Sequence, residues 1–390
     1  MKIVFLSFSD HEGGASIAAN AIFRSLKYKN STFLTIKKKY NHSFELCNPI
    51  KKIYLNLLRF LEKILIFIFL KKKEFHQSLN IFNTFNQKKI LDHKPDLINI
   101  HWINRSMISL KELNRFEKKI VVSLHDMWFL NSTEHYFYKR NNNDNFLSKY
   151  CWKLKKIFLY KKNVFFIAHN KWMFDRFIKL YPKLNKKIFL NKYYPIDTNI
   201  FKPRNKISLR KKYKLPIDKK IIFFSAQDIS DKRKGYIYFY KIIKKFSNNK
   251  NIFFLSIGNN NKIFKNYDNH KHINFLPKND IAEIYSLSDI FICTSLIDNL
   301  PLTILEALSS GNLVFSFDNG ASREVLRKTG YIFKFSEIDK IIKKIELITQ
   351  KDIKKKSYLA RQFALNNFKP KKISSQYKKI LSTIHRSYVS

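Results

Sequence analysis

The sequence predicts an α/β protein made of two Rossmann-like, doubly wound domains. Three observations predict it. Short runs rich in Ile, Val and Phe alternate with helical patterns along the chain. These runs form two successive series, split by a segment that carries two prolines. At 390 residues and 45% apolar composition, the chain can fill two cores of ordinary size.

The first series opens with KIVFLSFS (2–9), a strand pattern, followed by GGASIAANAIFRSLKY (13–28), a helix opened by glycines. DLINIHWI (96–103), KIVVSLHD (119–126) and VFFIAHN (164–170) continue as strands. The second series runs KIIFFSAQD (220–228), IFFLSIG (252–258), HINFLP (272–277), IFICTS (290–295) and LVFSFD (313–318). Between the two lies NKYYPIDTNIFKPRN, with Pro195 and Pro203 and no clear periodicity, as in a linker. The expected division is therefore 1–190, a linker over 191–205, a second domain over 206–375 and a tail helix over 376–390. In open α/β sheets, ligands bind beyond the C-terminal ends of the strands, where helix N-termini offer N–H groups. Two such domains facing each other would make a cleft lined by loops 9–16, 125–136, 226–236, 258–263, 296–303 and 318–323.

The charge narrows the partners. Lys and Arg number 75 against 29 Asp and Glu, for a net charge of +46. Such a field attracts nucleic acid, nucleotides or an acidic membrane face. The cations are spread along the chain among many Asn, Ile and Phe, so a composition bias accounts for most of them. No RRM, KH, zinc-finger or basic-zipper pattern gathers them, and nucleic acid is not expected as a partner. Cys47, Cys151 and Cys293 show no metal or CxxC spacing and fit reduced thiols in a cytoplasmic protein. The N-terminal apolar run is too short for a secretory core, because Asp10-His11-Glu12 follow at once. The stretch 53–73 reads as an amphipathic helix ending in Lys71-Lys72-Lys73. Either it packs in its domain, or it lies peripherally on an anionic membrane.

The chemistry concentrates in DNLPLTILEALSSGNLVFSFDNGASREVL, 298–326. Pro301 suits the first turn of a helix, and Gly311 suits its end. Asp298 then precedes the helix, and Glu306 falls in its second turn. Backbone N–H groups of Leu302 and Thr303 suit a phosphate, and a carboxylate can accept two hydrogen bonds from a ribose diol. That combination describes a nucleotide-diphosphate site. From spacing alone, Glu306 could equally be a surface residue and Asp298 a turn residue.

This segment resembles the paired-acid motif of retaining glycosyltransferases of family 4, among the group 1 glycosyltransferases of GT-B fold. Other stretches resemble the same family in the same order. They are EGGASIAANAIFRSL (12–26), NIHWINRSMISL (99–110), VVSLHDMWFLNSTEHYF (121–137), PIDTNIFKP (195–203), DKRKGY (231–236) and YIFKFSEIDKIIKKI (331–345). The second and third are similar to the exopolysaccharide subgroup of colanic acid and amylovoran type.

The resemblance implies roles. Glu306 would hold the ribose, and Asp298 would face the hydroxyls of the donor sugar. Lys234, with Arg233, would bind the diphosphate beside the Leu302 and Thr303 amides. Gly13 and Gly14 would let the first loop approach a phosphate, and His125 would point at the sugar. Two departures stand out. The first acid is Asp298 where relatives carry Glu. Gln227-Asp228-Ile229 occupies the place where many relatives have an Arg. No Asp-x-Asp pair of the metal-dependent kind is present, so neither a metal nor another cofactor is expected beyond the nucleotide-sugar co-substrate. The expected activity is a hexosyl transfer with retention, by front-face attack, onto a glycan or lipid-linked acceptor of a bacterial surface polysaccharide. The competing readings are a basic nucleic-acid binder and another GT-B enzyme, such as a nucleotide-sugar epimerase.

Overall fold

The computed structural model describes residues 1–70, 75–138, 145–259 and 267–387. The chain forms two compact units: Met1–Lys192 with Ile373–Ser390, and Tyr193–Lys372. The last helix, Pro370–Arg386, starts before the expected tail at 376, and its Ile373 onward belongs to the first unit.

The first unit holds a seven-stranded parallel sheet in the order β3-β2-β1-β4-β5-β6-β7. Its strands are β1 Ile3–Leu6, β2 Thr32–Thr35, β3 Ser43–Glu45, β4 Leu97–Ile100, β5 Lys119–Leu124, β6 Val164–Ala168 and β7 Ile188–Leu190. The central strands are buried along their lengths, as parallel strands covered by helices on both faces must be. The second unit holds six parallel strands in the order β10-β9-β8-β11-β12-β13. They are β8 Lys220–Asp228, β9 Ile252–Asn259, β10 His270–Ile273, β11 Ile290–Cys293, β12 Leu313–Phe317 and β13 Gly330–Phe333. The strand order reverses between β1 and β4 in one sheet and between β8 and β11 in the other. These reversals are where a doubly wound sheet opens a binding crevice.

The strand expected over 272–277 lies earlier, at His270–Ile273, and Phe275 is exposed. Two local preferences move it. His270 and His272 both reach the buried Ser256 on β9, at 2.8 and 2.7 Å. Pro277, which has no N–H for a ladder, serves instead as the N-cap of the helix Lys278–Leu287.

The amphipathic helix begins at Pro49, not 53, because Asn48 caps it by accepting from the Lys51 amide at 2.9 Å. It runs to Phe69, and Lys71–Lys73 lie outside the described residues. Only Leu55, Leu58 and Glu62 of this helix are buried. Glu62 accepts from the Leu79 and Asn80 amides and from Ser106 Oγ, which fastens the helix to its unit.

Candidate functional site

In the second unit, the loops after β8 and β11 lie at the reversal point. The loop after β8 turns through Lys232–Lys234, and Asp231 caps that turn by accepting from the Arg233 amide at 2.9 Å. It is bound to the loop after β11 by Leu296 N–H to Arg233 O at 2.8 Å and Thr294 Oγ1 to Gly235 O at 2.9 Å. Gly235 has φ +66, and a Cβ there would lie 2.0 Å from Thr294 O. Only glycine permits that approach.

Asp298 is buried, and two cations meet its Oδ2: Lys234 Nζ at 2.6 Å and Arg233 Nη1 at 3.0 Å. Burial alone would raise this carboxyl, but Lys234 and Arg233 hold it below its ordinary value. Arg233 is shared with Asp231, at 3.2 Å. A third loop closes over the same segment. Ala321 N–H donates to Asn299 O at 3.0 Å, and Asn319 Nδ2 donates to Ser295 O at 2.7 Å. Gly320 makes this possible. Its φ is +41, and a Cβ would lie 1.6 Å from Asp298 O.

The helix Leu302–Ser309 follows, with Pro301 as its N-cap and no side chain capping the first turn. Leu302 and Thr303 are half-buried at this positive end. Glu306 lies about 6 Å further along the axis. It too is half-buried, and burial pushes its carboxyl up to about 7. The Lys278 charge and the Tyr285 hydroxyl offset only part of that rise. The structure thus brings Asp298, Lys234 and Arg233 into direct contact and sets Leu302, Thr303 and Glu306 on the helix that follows.

In the first unit, Gly13 has φ +83 and precedes the helix Gly14–Leu26, which also has no side-chain cap. The loop before it is organised by buried Asp10, which accepts from the Lys39 and Tyr40 amides at 3.0 Å each. Ser9 Oγ accepts from the amides of His11 and Glu12, at 3.2 and 3.1 Å. His125 directly follows β5, two strands from β1 and so about 10 Å across the sheet. It is 7% exposed, and its Nε2 lies 2.8 Å from Nδ1 of His101. Burial pulls it down to about 4, against a small opposing pull from Asp126.

Several residues in these places escaped the sequence reading. His101 and His169 follow β4 and β6 as His125 follows β5, so three adjacent strands each end in a histidine. The repeated pattern of an apolar run followed by His was the available signal. Asp126 accepts from Trp102 Nε1 at 3.0 Å and meets His135 Nδ1 at 2.6 Å, while His135 Nε2 meets Ser78 Oγ at 3.0 Å. That chain has the connectivity of a hydrolytic triad, but Ser78 is buried, so its work is to fix the loop after β5. Fully buried Lys155 fixes the same loop by donating to Trp128 O and Asn131 O at 2.7 and 3.0 Å.

Residues 205–363 match the family model described as Glycosyl transferases group 1. That span contains Arg233, Lys234, Asp298, Leu302, Thr303 and Glu306. No curated protein matches the sequence. Among solved structures, the chain is similar to sucrose-phosphate synthase from Thermosynechococcus elongatus, with TM-score 0.72 and 13% identity over 98% of this chain and 99% of that one. It is also similar to HepE of Anabaena, solved with UDP-glucose, with TM-score 0.67 and 15% identity over 98% and 100%. A third is WaaG, a glycosyltransferase involved in lipopolysaccharide biosynthesis, with TM-score 0.67 and 12% identity over 99% and 100%. At such identities the likeness is one of fold, and that fold is GT-B.

Proposed function

We propose that this chain, whose residues 205–363 match the group 1 glycosyltransferase family, moves a sugar from a nucleotide-diphosphate sugar to a glycan or lipid-linked acceptor. The observation that carries the reading is the convergence of Lys234 and Arg233 on Asp298, at 2.6 and 3.0 Å, just ahead of an uncapped helix that bears Glu306. In this arrangement an internal carboxylate pairs with the cations. An incoming diphosphate competes for them and frees Asp298 to meet sugar hydroxyls. Negative charge then grows on the leaving diphosphate as the anomeric bond breaks. Lys234, Arg233 and the Leu302 and Thr303 amides stabilise that charge, which is the largest lever such a site has. Glu306, when ionised, accepts from the ribose diol. On this reading the countercharge comes from side chains and needs no metal.

The finer reading follows the resemblance to family 4 and its exopolysaccharide subgroup. It comprises retention by front-face attack, His125 against the sugar, Gly13 and Gly14 beside a phosphate, and a role in bacterial surface polysaccharide. HepE with its bound UDP-glucose and WaaG with its lipopolysaccharide role support donor and product of this kind.

A cytoplasmic enzyme peripheral to the membrane fits the helix Pro49–Phe69. No helix among the described residues is long and apolar enough to cross a membrane. Yet Ile50, Ile53, Leu57, Phe60, Ile64, Phe67 and Ile68 are all exposed, at three- and four-residue steps. They form one stripe opposite the buried Leu55, Leu58 and Glu62, with Lys51, Lys52 and Lys63 on the same helix. An apolar stripe with basic neighbours suits an anionic bilayer surface.

The test is the melting temperature with UDP, GDP and ADP and their sugars, without metal, for wild type and Glu306→Ala. A ligand that binds only the folded chain must raise it. A rise with one nucleotide series that vanishes in Glu306→Ala supports the reading and names the donor. No rise with any nucleotide, alongside a rise with RNA, overturns it.

A further inference from the structure

The histidines that end β4, β5 and β6 form a row. His101 and His125 have ring centroids 5.1 Å apart, and His125 and His169 stack at 5.4 Å. Tyr377, from the last helix, stacks on His169 at 6.2 Å with the planes 10° apart. Burial is the main force on all three imidazoles. It pulls His125 to about 4 and the other two well below their ordinary value, so the row is neutral at pH 7. A neutral imidazole carries one proton, and its partners decide which nitrogen holds it.

For His101 the deciding partner is Asn99, which Ser123 and Tyr377 hold in turn. Asn99 Nδ2 donates to Val121 O at 3.0 Å and reaches Ser123 Oγ at 3.4 Å. That fixes the amide, because Oδ1 in its place would face a carbonyl. Asn99 Oδ1 then meets Tyr377 OH at 2.7 Å and His101 Nε2 at 3.1 Å. An amide oxygen only accepts, so both partners must donate. Tyr377 OH in turn accepts from Ser123 Oγ, 2.6 Å away. These bonds close a ring from Asn99 Nδ2 through Ser123 and Tyr377 back to Asn99 Oδ1, and the ring has one self-consistent direction. With its proton on Nε2, His101 presents a bare Nδ1. His125 Nε2 lies 2.8 Å from it and must be the donor.

We propose that Asn99, His101 and Tyr377 are positioning residues that hold His125 as its Nε2–H tautomer. In this tautomer Nδ1 is the unprotonated nitrogen of His125. The inference rests on the reading that His125 meets the sugar. It also gives a purpose to the return of the C-terminal helix, which carries Tyr377, to the first unit. The site in that unit depends on a residue from the far end of the chain.

The tautomer can be read directly. The full chain is labelled with 15N-histidine, and long-range 1H–15N spectra are recorded at pH 7.5, with His101→Gln and His125→Gln assigning the two rings. Nε2–H at both His101 and His125 is expected in the wild type. Nδ1–H or an imidazolium at His125 overturns the proposal without any variant having to fold. The activity arm compares two substitutions at His101. His101→Phe keeps a ring but offers no acceptor, so His125 should lose its single tautomer and kcat/KM should fall by roughly ten-fold or more. His101→Gln offers Oε1 to the same N–H and should retain most of the activity. Equal losses in both mean that packing alone is at work, and overturn the relay. Transfer unimpaired by His125→Ala, with the tautomer as stated, would instead remove His125 from the proposed function and leave the relay standing.

Discussion

The two sheets reverse their strand order in the same manner, and both carry their polar residues just beyond the strand ends. The chemistry at the two places is opposite. In the second unit Lys234, Arg233 and Asp298 are charged and paired, in front of a helix N-terminus. In the first unit His101, His125 and His169 are stripped of charge by burial; His101 and His125 share a hydrogen bond, and His169 stacks on His125. The difference teaches what each place is suited to hold. Cations that converge on one carboxylate suit an anion such as a diphosphate, which can exchange for it. A row of neutral imidazoles with assigned donors and acceptors suits hydroxyl groups, which need direction more than charge.

The comparison breaks most easily on the charged side. Lys234→Ala removes the shorter of the two contacts to Asp298 and, on the proposed mechanism, one countercharge to the leaving group. Loss of one such preorganised donor costs about 10²–10³-fold in rate. The expected result is a fall of that order in kcat/KM for the donor that passes the binding test, with Lys234→Arg recovering part of it. An unchanged rate would mean that the cation cluster only supports the fold.

The next effect is structural and falls on the same loop. Gly320→Ala puts a Cβ into the carbonyl of Asp298 at a left-handed backbone position. Backbone strain of this kind costs about 1–3 kcal/mol before the overlap is relieved. The melting temperature should drop by roughly 5 °C or more, and nucleotide binding should weaken with it. An equally stable variant would show that the loops after β11 and β12 are not held together as the contacts suggest.

These two predictions mark what the sequence made legible. The alternation of strand and helix, and the helix between Pro301 and Gly311, follow from local preference and periodicity. Asp298 and Glu306 could be placed before and within that helix for the same reason. Gly320, within Asp-Asn-Gly, carries no local mark of its role, because the carbonyl it must clear lies on another strand's loop. Tyr377 was less legible still. Ser123, its partner, lies 254 residues away, and nothing in the local run SSQYKKI marks a buried hydroxyl. The exposed stripe on Pro49–Phe69 was half legible. The sequence left open whether this helix packs in its domain or lies on a membrane, and the structure shows the face of Leu55, Leu58 and Glu62 buried in its unit.

The two places should also respond to pH with opposite sign, and this sharpens the comparison further. His125 is depressed from 6.5 to about 4, so the unfolded chain takes up a proton there before the folded chain does. Its neutral state is worth about 3 kcal/mol above pH 6.5, and that stability drains away as pH falls towards 4. His101 and His169 shift in the same direction. Acid should therefore destabilise the wild type over this window, and His125→Gln should lose part of that slope.

Glu306 works the other way. Its carboxyl is raised from 4.5 to about 7, so the folded chain holds the proton more tightly. The resulting stability is complete below 4.5 and is lost as pH rises through 7. Allowing for its partial exposure, the loss amounts to about 1–2 kcal/mol. Glu306→Gln should thus melt close to the wild type at pH 5 and a few degrees higher at pH 8. The same substitution should cost nucleotide affinity at pH 8, where the wild-type carboxylate is ionised and able to accept from a ribose. A variant that gains stability and loses ligand over one pH window would identify Glu306 as a group kept for binding at the expense of the fold. A variant that melts like the wild type at both pH values would return it to an ordinary helix surface.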